Sequence, residues 1–242
     1  MYKFRTLAND DALLDTSPIM RAIDFMSTQL EGNPRGIPLT QSGMLSQNIV
    51  AEAIREIKWP GWTELEIYHG IIPITAADEY HFEPLHLLRQ VMFEMGLFRS
   101  HRNHLKLSRL GMMLFAERFH CFDAVVHELL FDTHYFNNLR FSSALGGTWN
   151  TWLNIIDFEA ATGASGKVLT DRIFGSHDAE GAFGPRVSAT YNAVLKPLLW
   201  TGLLVEHSDF GRTLAKRVFT TTPLWYHYLE LDKKRPRLRM MH

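Results

Sequence analysis

One cysteine in 242 residues excludes an internal disulfide framework, and with it the small secreted scaffolds that depend on one. Long apolar runs are missing too. The longest, Ala193 to Val205, is interrupted by Lys196, Pro197 and Gly202, and a spanning helix needs roughly 18 uninterrupted residues. The opening MYKFRTLANDDALLD is too polar to read as a signal peptide. Nor is there a surplus of one charge. Lys and Arg number 25 against 26 Asp and Glu, a net charge of −1, so no overall basic field advertises nucleic acid. These absences lead to an expectation of a cytoplasmic protein with no membrane contact and one free thiol, Cys121.

What is present is apolar bulk. Hydrophobic residues make up 46% of the chain, aromatics 12% and charged residues 21%, the balance of a packed globular protein. The length suits one large domain or two small ones. Ser17-Pro18 reads as a helix start, and Ile19, Ile23, Met26 and Leu30 follow at helical spacing. Glycine and proline from Gly32 to Gly36 stop that helix. After Ile37-Pro38-Leu39, Thr40 is placed as the cap of a helix through Ile49, Val50, Ala53, Ile54 and Ile57. Lys58 to Tyr80 reads as a long connection, and His81 to Met95 as a helix closed by Gly96 in the left-handed region.

Two stretches then align without a gap: LRQVMFEMGLFRSH, Leu88 to His101, and VLKPLLWTGLLVEH, Val194 to His207. In each a helix ends on glycine, Gly96 or Gly202, and two apolar residues open a strand. A polar turn follows, then a return strand (Leu105-Lys106-Leu107 or Arg217-Val218-Phe219). Ser108 or Thr222 caps the next helix. LTQSGML, Leu39 to Leu45, is similar to LKLSRLGMML, Leu105 to Leu114, and reads as another strand-to-helix entry. Between the copies, Trp149, Trp152, Leu153 and Ile156 mark a packing helix. Gly163-Ala164-Ser165-Gly166 reads as a flexible break, and Phe174 to Pro185 as a loop.

The order helix, glycine, strand, turn, strand, cap, helix resembles the winged-helix family, on GLFRSHRNHLKLSRLG and more loosely on GLLVEHSDFGRTLAKRVFTTTP. The pattern LT-x-x-G-x-L, a helix and then a Gly-Leu hairpin is also similar to the helical domain of bacterial plasmid ORF-3-like proteins. The expected fold is mainly α, α+β by strict count. It consists of tandem winged-helix-like units with small hairpin wings and a helical connector. The segments are 1–36 (helical), 37–118 (first unit), 119–169 (connector), 170–230 (second unit) and 231–242 (basic tail).

The resemblance implies that the helix before each wing faces a major groove and that each wing faces phosphates. In the first unit that helix carries Glu83 and Glu94, which phosphates would repel. Its wing is basic: Arg99, His101, Arg102, His104 and Lys106, with no acid. In the second unit Arg186, Ser188, Tyr191, Asn192 and Lys196 lie along the helix, and Asn can read adenine. Arg212, Lys216 and Arg217 lie in or near its wing, and Lys233, Lys234 and Arg235 open the tail. Between Glu52 and Glu94 eight acids meet three bases, so charge is segregated along the chain. Duplex DNA binding is the working expectation, without catalysis, metal or cofactor. The alternative is a protein-docking module meeting an acidic partner, and an enzyme comes third.

Chemical motifs do not carry further. His120, His127 and His134 recur every seven residues, roughly 10 Å apart on a helix, too far for one zinc ion. His127-Glu128 lacks a second histidine, since Phe131 stands there. His101 and His104 can share a metal only if a turn folds them together, and contact of the wing with phosphate is the preferred reading. Cys121 and His120 point about 100° apart on a helix and form no nucleophile–base pair. GASGKV lacks the first P-loop glycine and has Val168 after the lysine.

Overall fold

The computed structural model describes residues 2–62, 77–132, 148–175, 184–207 and 213–231. They divide into two compact units. One spans residues 8–132, and the other spans 133–242 together with 1–7. The chain opens with strand β1 (Tyr2–Phe4) of the latter unit. The described residues are mainly helical with three small antiparallel sheets, an α+β protein.

In the 8–132 unit, helix α1 (Pro18–Gly32) starts as its sequence dictates: Ser17 Oγ accepts from the Met20 N–H, and Pro18 fills the first turn. Strand β2 (Ile37–Pro38) and helix α2 (Gln47–Ile57) follow. The residue at the α2 N-cap position is Ser46, not Thr40. Thr40 instead closes a tight turn, donating its N–H to the Met44 carbonyl, while Leu39 and Leu45 bridge. LTQSGML is therefore a turn inserted between strand and helix. The true strand-to-helix entry is LKLSRLGMML.

Helix α3 (Glu83–Glu94) leads into the hairpin of β3 (Phe98–His101) and β4 (His104–Leu107). The helix end is a Schellman motif. Gly96 sits at φ 70°, Leu97 N bonds the Met92 carbonyl and Gly96 N the Phe93 carbonyl. Ser108 Oγ caps helix α4 (Arg109–Phe115) at Gly111 N, and α5 (Arg118–His127) follows, ending in a wide turn over Glu128–Asp132. The sheet order is β2-β4-β3. Ile19, Ile23, Val50, Ile54, Leu88, Met92, Leu105, Phe122 and Val125 are buried, and large apolar side chains of this kind contribute about 1.5–3 kcal/mol each on burial.

The second unit repeats the plan: α6 (Trp149–Glu159), β5 (Ala164–Ser165), α7 (Gly166–Phe174), α8 (Pro185–Thr190), a wide turn over Tyr191–Leu195 and α9 (Lys196–Trp200). Strands β6 (Leu204–His207) and β7 (Val218–Thr221) then lead to α10 (Pro223–Tyr228) and β8 (Leu229–Leu231). Gly202 is at φ 78°, Leu203 N bonds the Leu198 carbonyl and Gly202 N the Leu199 carbonyl. Thr222 Oγ1 caps α10 at Trp225 N. The repeat read from sequence is thus reproduced bond for bond at its helix end and at its cap. The sheet order β5-β7-β6 matches that of the first unit, and β8 pairs β1.

Two sequence readings are corrected here. Gly163 to Gly166 is no flexible break: Ala164-Ser165 pairs with β7, and Ser165 Oγ caps α7 at Val168 N. Residues 149–165, assigned above to a connector, supply a helix and a strand of the second module. The wide turn before Pro197 also has a cause. Proline offers no N–H, and its ring would crowd the carbonyl four residues back, so the helix widens, with Lys196 N reaching the Tyr191 carbonyl. No helix among the described residues is long and apolar enough to cross a membrane.

Candidate nucleic-acid interface

The first hairpin turns in two residues, Arg102 at φ 51° and Asn103 at φ 59°. Positive φ at both central positions makes a type I′ turn, whose handedness suits the strand twist. It folds His101 directly against His104, and pairs Arg99 with Lys106. Because side chains alternate across a strand, these four residues share one face. The opposite face carries Phe98, Ser100, Leu105 and Leu107, with Phe98 and Leu105 in the core.

Arg99, His101 and Arg102 are exposed, and His104 and Lys106 are half-buried. Arg99 Nε donates to the Leu107 carbonyl at 3.2 Å, and His104 Nδ1 lies 2.8 Å from the Arg102 carbonyl. No strand of this sheet contains an acid, and the cations of Arg99 and Lys106 oppose each other across β3 and β4. Such pairing is destabilising by tenths of a kcal/mol unless an anion lies over it. Arg102 adds a second local cost. Asn, Asp or Gly is the usual occupant of a positive-φ turn position, and a long branchless cation there is uncommon.

The second hairpin has a different face. Val205 opposes Thr220 and His207 opposes Val218, with His207 Nε2 2.8 Å from Thr220 Oγ1. Arg217 is committed elsewhere: its Nη1 donates to Glu206 Oε1 at 3.1 Å and its guanidinium lies over the Tyr191 ring at 5.6 Å. Tyr191 Oη donates to Glu206 at 3.4 Å, and Asn192 Nδ2 donates to the Ser188 carbonyl at 2.9 Å. Lys196 lies over Trp200 and Arg186 over Phe174. Arg186, Ser188, Tyr191, Asn192, Lys196 and Arg217 are all half-buried. They form no open face like that of the first hairpin. Lys216 lies in a short helical turn, Leu214–Lys216, ahead of β7. Arg212, Lys233, Lys234 and Arg235 lie outside the described residues, as do the turn Asp209-Phe210-Gly211 and His134.

The helix before the first wing is no better placed as a reader. Leu85, Leu88, Arg89, Val91 and Met92 of α3 are buried. What sequence reasoning missed is the role of Glu79. Its carboxylate is fully buried and accepts from Arg89 Nε at 2.5 Å and Leu45 N at 2.8 Å, with His86 Nδ1 at 3.3 Å. One hint was present in the sequence: Glu79, His86 and Arg89 follow one another at seven and three residues beside the apolar positions Leu85, Leu88 and Met92.

A cleft of about 450 Å³ opens at the start of α2, lined by Thr40, Ser42, Ser46, Gln47, Asn48 and Tyr80 among others. The carboxylate on its rim, Asp78, is already used as the cap of the turn at Glu79–His81. Among the described residues no group of three or more His, Cys, Asp or Glu is placed to hold a metal.

Two buried weak acids are shifted upward. Burial first, and Asp24 second, push the Cys121 thiol up to about 12. Burial first, and the Glu206 charge second, push Tyr191 up to about 12. Both groups are therefore harder to ionise folded than unfolded. Their contribution to stability is complete below their ordinary values of 9.0 and 10.0 and is lost as pH rises toward 12. The urea midpoint is expected to fall steeply between about pH 9 and 12. The Cys121→Ala, Tyr191→Phe double variant should show a shallower fall over that range.

The described residues thus form two units of helices with small antiparallel sheets, and the first hairpin carries a basic, acid-free face. Residues 15–120 match the family described as the Y4jL N-terminal domain, and residues 139–223 match the y4jL C-terminal domain, so the chain carries both Y4jL domains in order. It is 25% identical over 171 residues to "Uncharacterized protein y4jL" of Sinorhizobium fredii (strain NBRC 101917 / NGR234), covering 70% of this chain and 76% of that one. No solved structure matches.

Proposed function

We propose that this is a cytoplasmic winged-helix protein that binds duplex DNA through the phosphate backbone, using the outer face of the β3–β4 hairpin and its tip. The reading rests on one observation: Arg99, His101, His104 and Lys106 share an acid-free face, with the cations of Arg99 and Lys106 set opposite each other. Arg102 at the tip supports it, because the turn tolerates a strained arginine where glycine would be cheaper. The buried α3 and the occupied side chains of Tyr191, Asn192 and Arg217 leave base reading out of the proposal. Binding is then backbone-directed and largely indifferent to sequence.

Three arginine and lysine contacts give a salt slope of about −2.7, or about 40-fold weaker binding when salt rises from about 50 to 200 mM. Fluorescence anisotropy with a labelled duplex measures this. Arg102→Gly is the discriminating variant. It should bind less well, with a slope flatter by about 0.9, yet melt at the same temperature as the parent or higher, because glycine relieves the turn. No binding at low salt, or binding indifferent to Arg99→Ala and Arg102→Gly, removes the proposal.

A protein-docking reading has its own observation. Leu110, Met112 and Met113 on α4 are 48%, 57% and 65% exposed, an apolar cluster close in sequence to the wing. An acidic polypeptide competing for the basic face, with duplex DNA ignored, would favour that reading.

A further inference from the structure

The basic face is not uniform. Its two cross-strand pairs form rungs: Arg99 with Lys106 nearer the sheet base, and His101 with His104 beside the tip. Two residues of extended strand separate them by roughly 6.7 Å. Consecutive phosphates on one nucleic-acid strand are a comparable distance apart through space. Resting on the DNA reading above, we infer that this face is a two-rung phosphate ladder whose upper rung gains its charge, and its His104 donor toward phosphate, only when its imidazoles are protonated.

Hydrogen-bond roles give the reason. The Arg102 carbonyl 2.8 Å from His104 Nδ1 can only accept, so Nδ1 carries the proton that makes that bond. In the neutral ring Nε2 is then an acceptor, and two acceptors, imidazole and phosphate oxygen, do not bond. Protonation converts Nε2 into a donor and adds a charge. Imidazole is the side chain whose charge changes between about pH 5 and 8. The lower rung, guanidinium and ammonium, donates throughout that range.

The groups around the two imidazoles are cationic or neutral, so an anion lying over the face, and not a carboxylate of the sheet, is what favours their protonated form. Arg99 and Lys106 share the face, Arg102 and Asn103 form the tip, and β2 sets neutral Pro38 opposite His104. No carboxylate is on these strands to neutralise an imidazolium in place of phosphate. The second hairpin lacks the arrangement, since Val205, Thr220 and Val218 take three of the four matching positions and His207 is bonded to Thr220.

The experiment is the salt slope of duplex binding by the full chain at about pH 8 and 5.5, for the parent and for His101→Gln/His104→Gln. The parent slope should steepen at the lower pH by up to about 1.8, or 0.9 for each imidazolium. The double variant should have one slope at both pH values and a melting temperature close to the parent's. Duplex binding with the same parent slope at both pH values overturns the ladder and leaves the DNA reading standing. Equal steepening in the double variant also overturns it, assigning the effect to other histidines. Absence of binding at both pH values and the lowest salt removes the ladder and the DNA reading together.

Discussion

Arg89→Met is expected to cost about 3–5 kcal/mol, because it strips a fully buried carboxylate of its charged partner. Glu79 sits in the short turn Glu79–His81 and is completely inaccessible to water. Its Oε1 accepts from Arg89 Nε of α3, and its Oε2 accepts from the N–H of Leu45, where the turn after β2 ends. His86 Nδ1 completes the set, and its Nε2 meets Gln90 at 2.9 Å. One carboxylate thus joins three separate pieces of chain. Arg89 also lies over Phe93 at 5.6 Å, so its stem and charge are both engaged. The Glu79→Gln/Arg89→Met double variant should recover more than half of the loss, because the glutamine carbonyl still accepts from Leu45 N while no buried charge remains. Urea denaturation midpoints of the three proteins check this. A single-variant loss below about 1 kcal/mol would mean that water reaches the pair and that it behaves as a surface bridge.

The network also marks how far the sequence could be read. Features set by local chemistry were legible. Ser17, Ser108 and Thr222 cap helices because a hydroxyl placed before a helical run has an orphan N–H within reach. Gly96 and Gly202 end helices because the Schellman turn needs positive φ. Features set at a distance were not. Nothing local distinguishes Ala164-Ser165 from a glycine-rich loop, since its strand character comes from pairing with Phe219 and Val218, more than fifty residues on. Thr40 looked like a helix cap because its neighbourhood satisfies the rule for one. The turn at Thr40–Met44 took the hydroxyl instead, and the helix began six residues later. The basic wing was legible as composition, but the opposition of Arg99 to Lys106 and of His101 to His104 depends on a two-residue turn. His101 and His104 alone do not specify it. Conversely, the polar run from Arg186 to Lys196 looked open in sequence, and its side chains are taken up by neighbours within the fold.

Gly36→Ala is expected to destabilise by about 3 kcal/mol or more, and Gly163→Ala by only about 1–2 kcal/mol, although the two glycines hold matching places before β2 and β5. Both sit at positive φ, 97° and 103°, where any L side chain is strained. The difference is in what a methyl group would meet. At Gly36 it would fall 2.6 Å from the Leu105 carbonyl oxygen and 2.7 Å from Lys106 Cγ. The carbonyl belongs to β4 beside the Ile37–Leu105 pairing, so it can withdraw only by opening the sheet. At Gly163 the nearest atoms are side-chain carbons of Val218 and Thr220, at 3.4 and 3.7 Å, and both are ordinary or nearly ordinary contacts. The strain is shared and the collision is not. Since the displaced groups at Gly36 include Lys106, this variant should also weaken duplex binding by more than its fraction unfolded accounts for, whereas Gly163→Ala should leave binding unchanged. Thermal melts give the first comparison and anisotropy at a temperature where both variants are folded gives the second. Equal losses of stability at the two glycines would show that β4 yields freely at Leu105. The basic face would then lack the rigid backing that holds its two cation pairs in line.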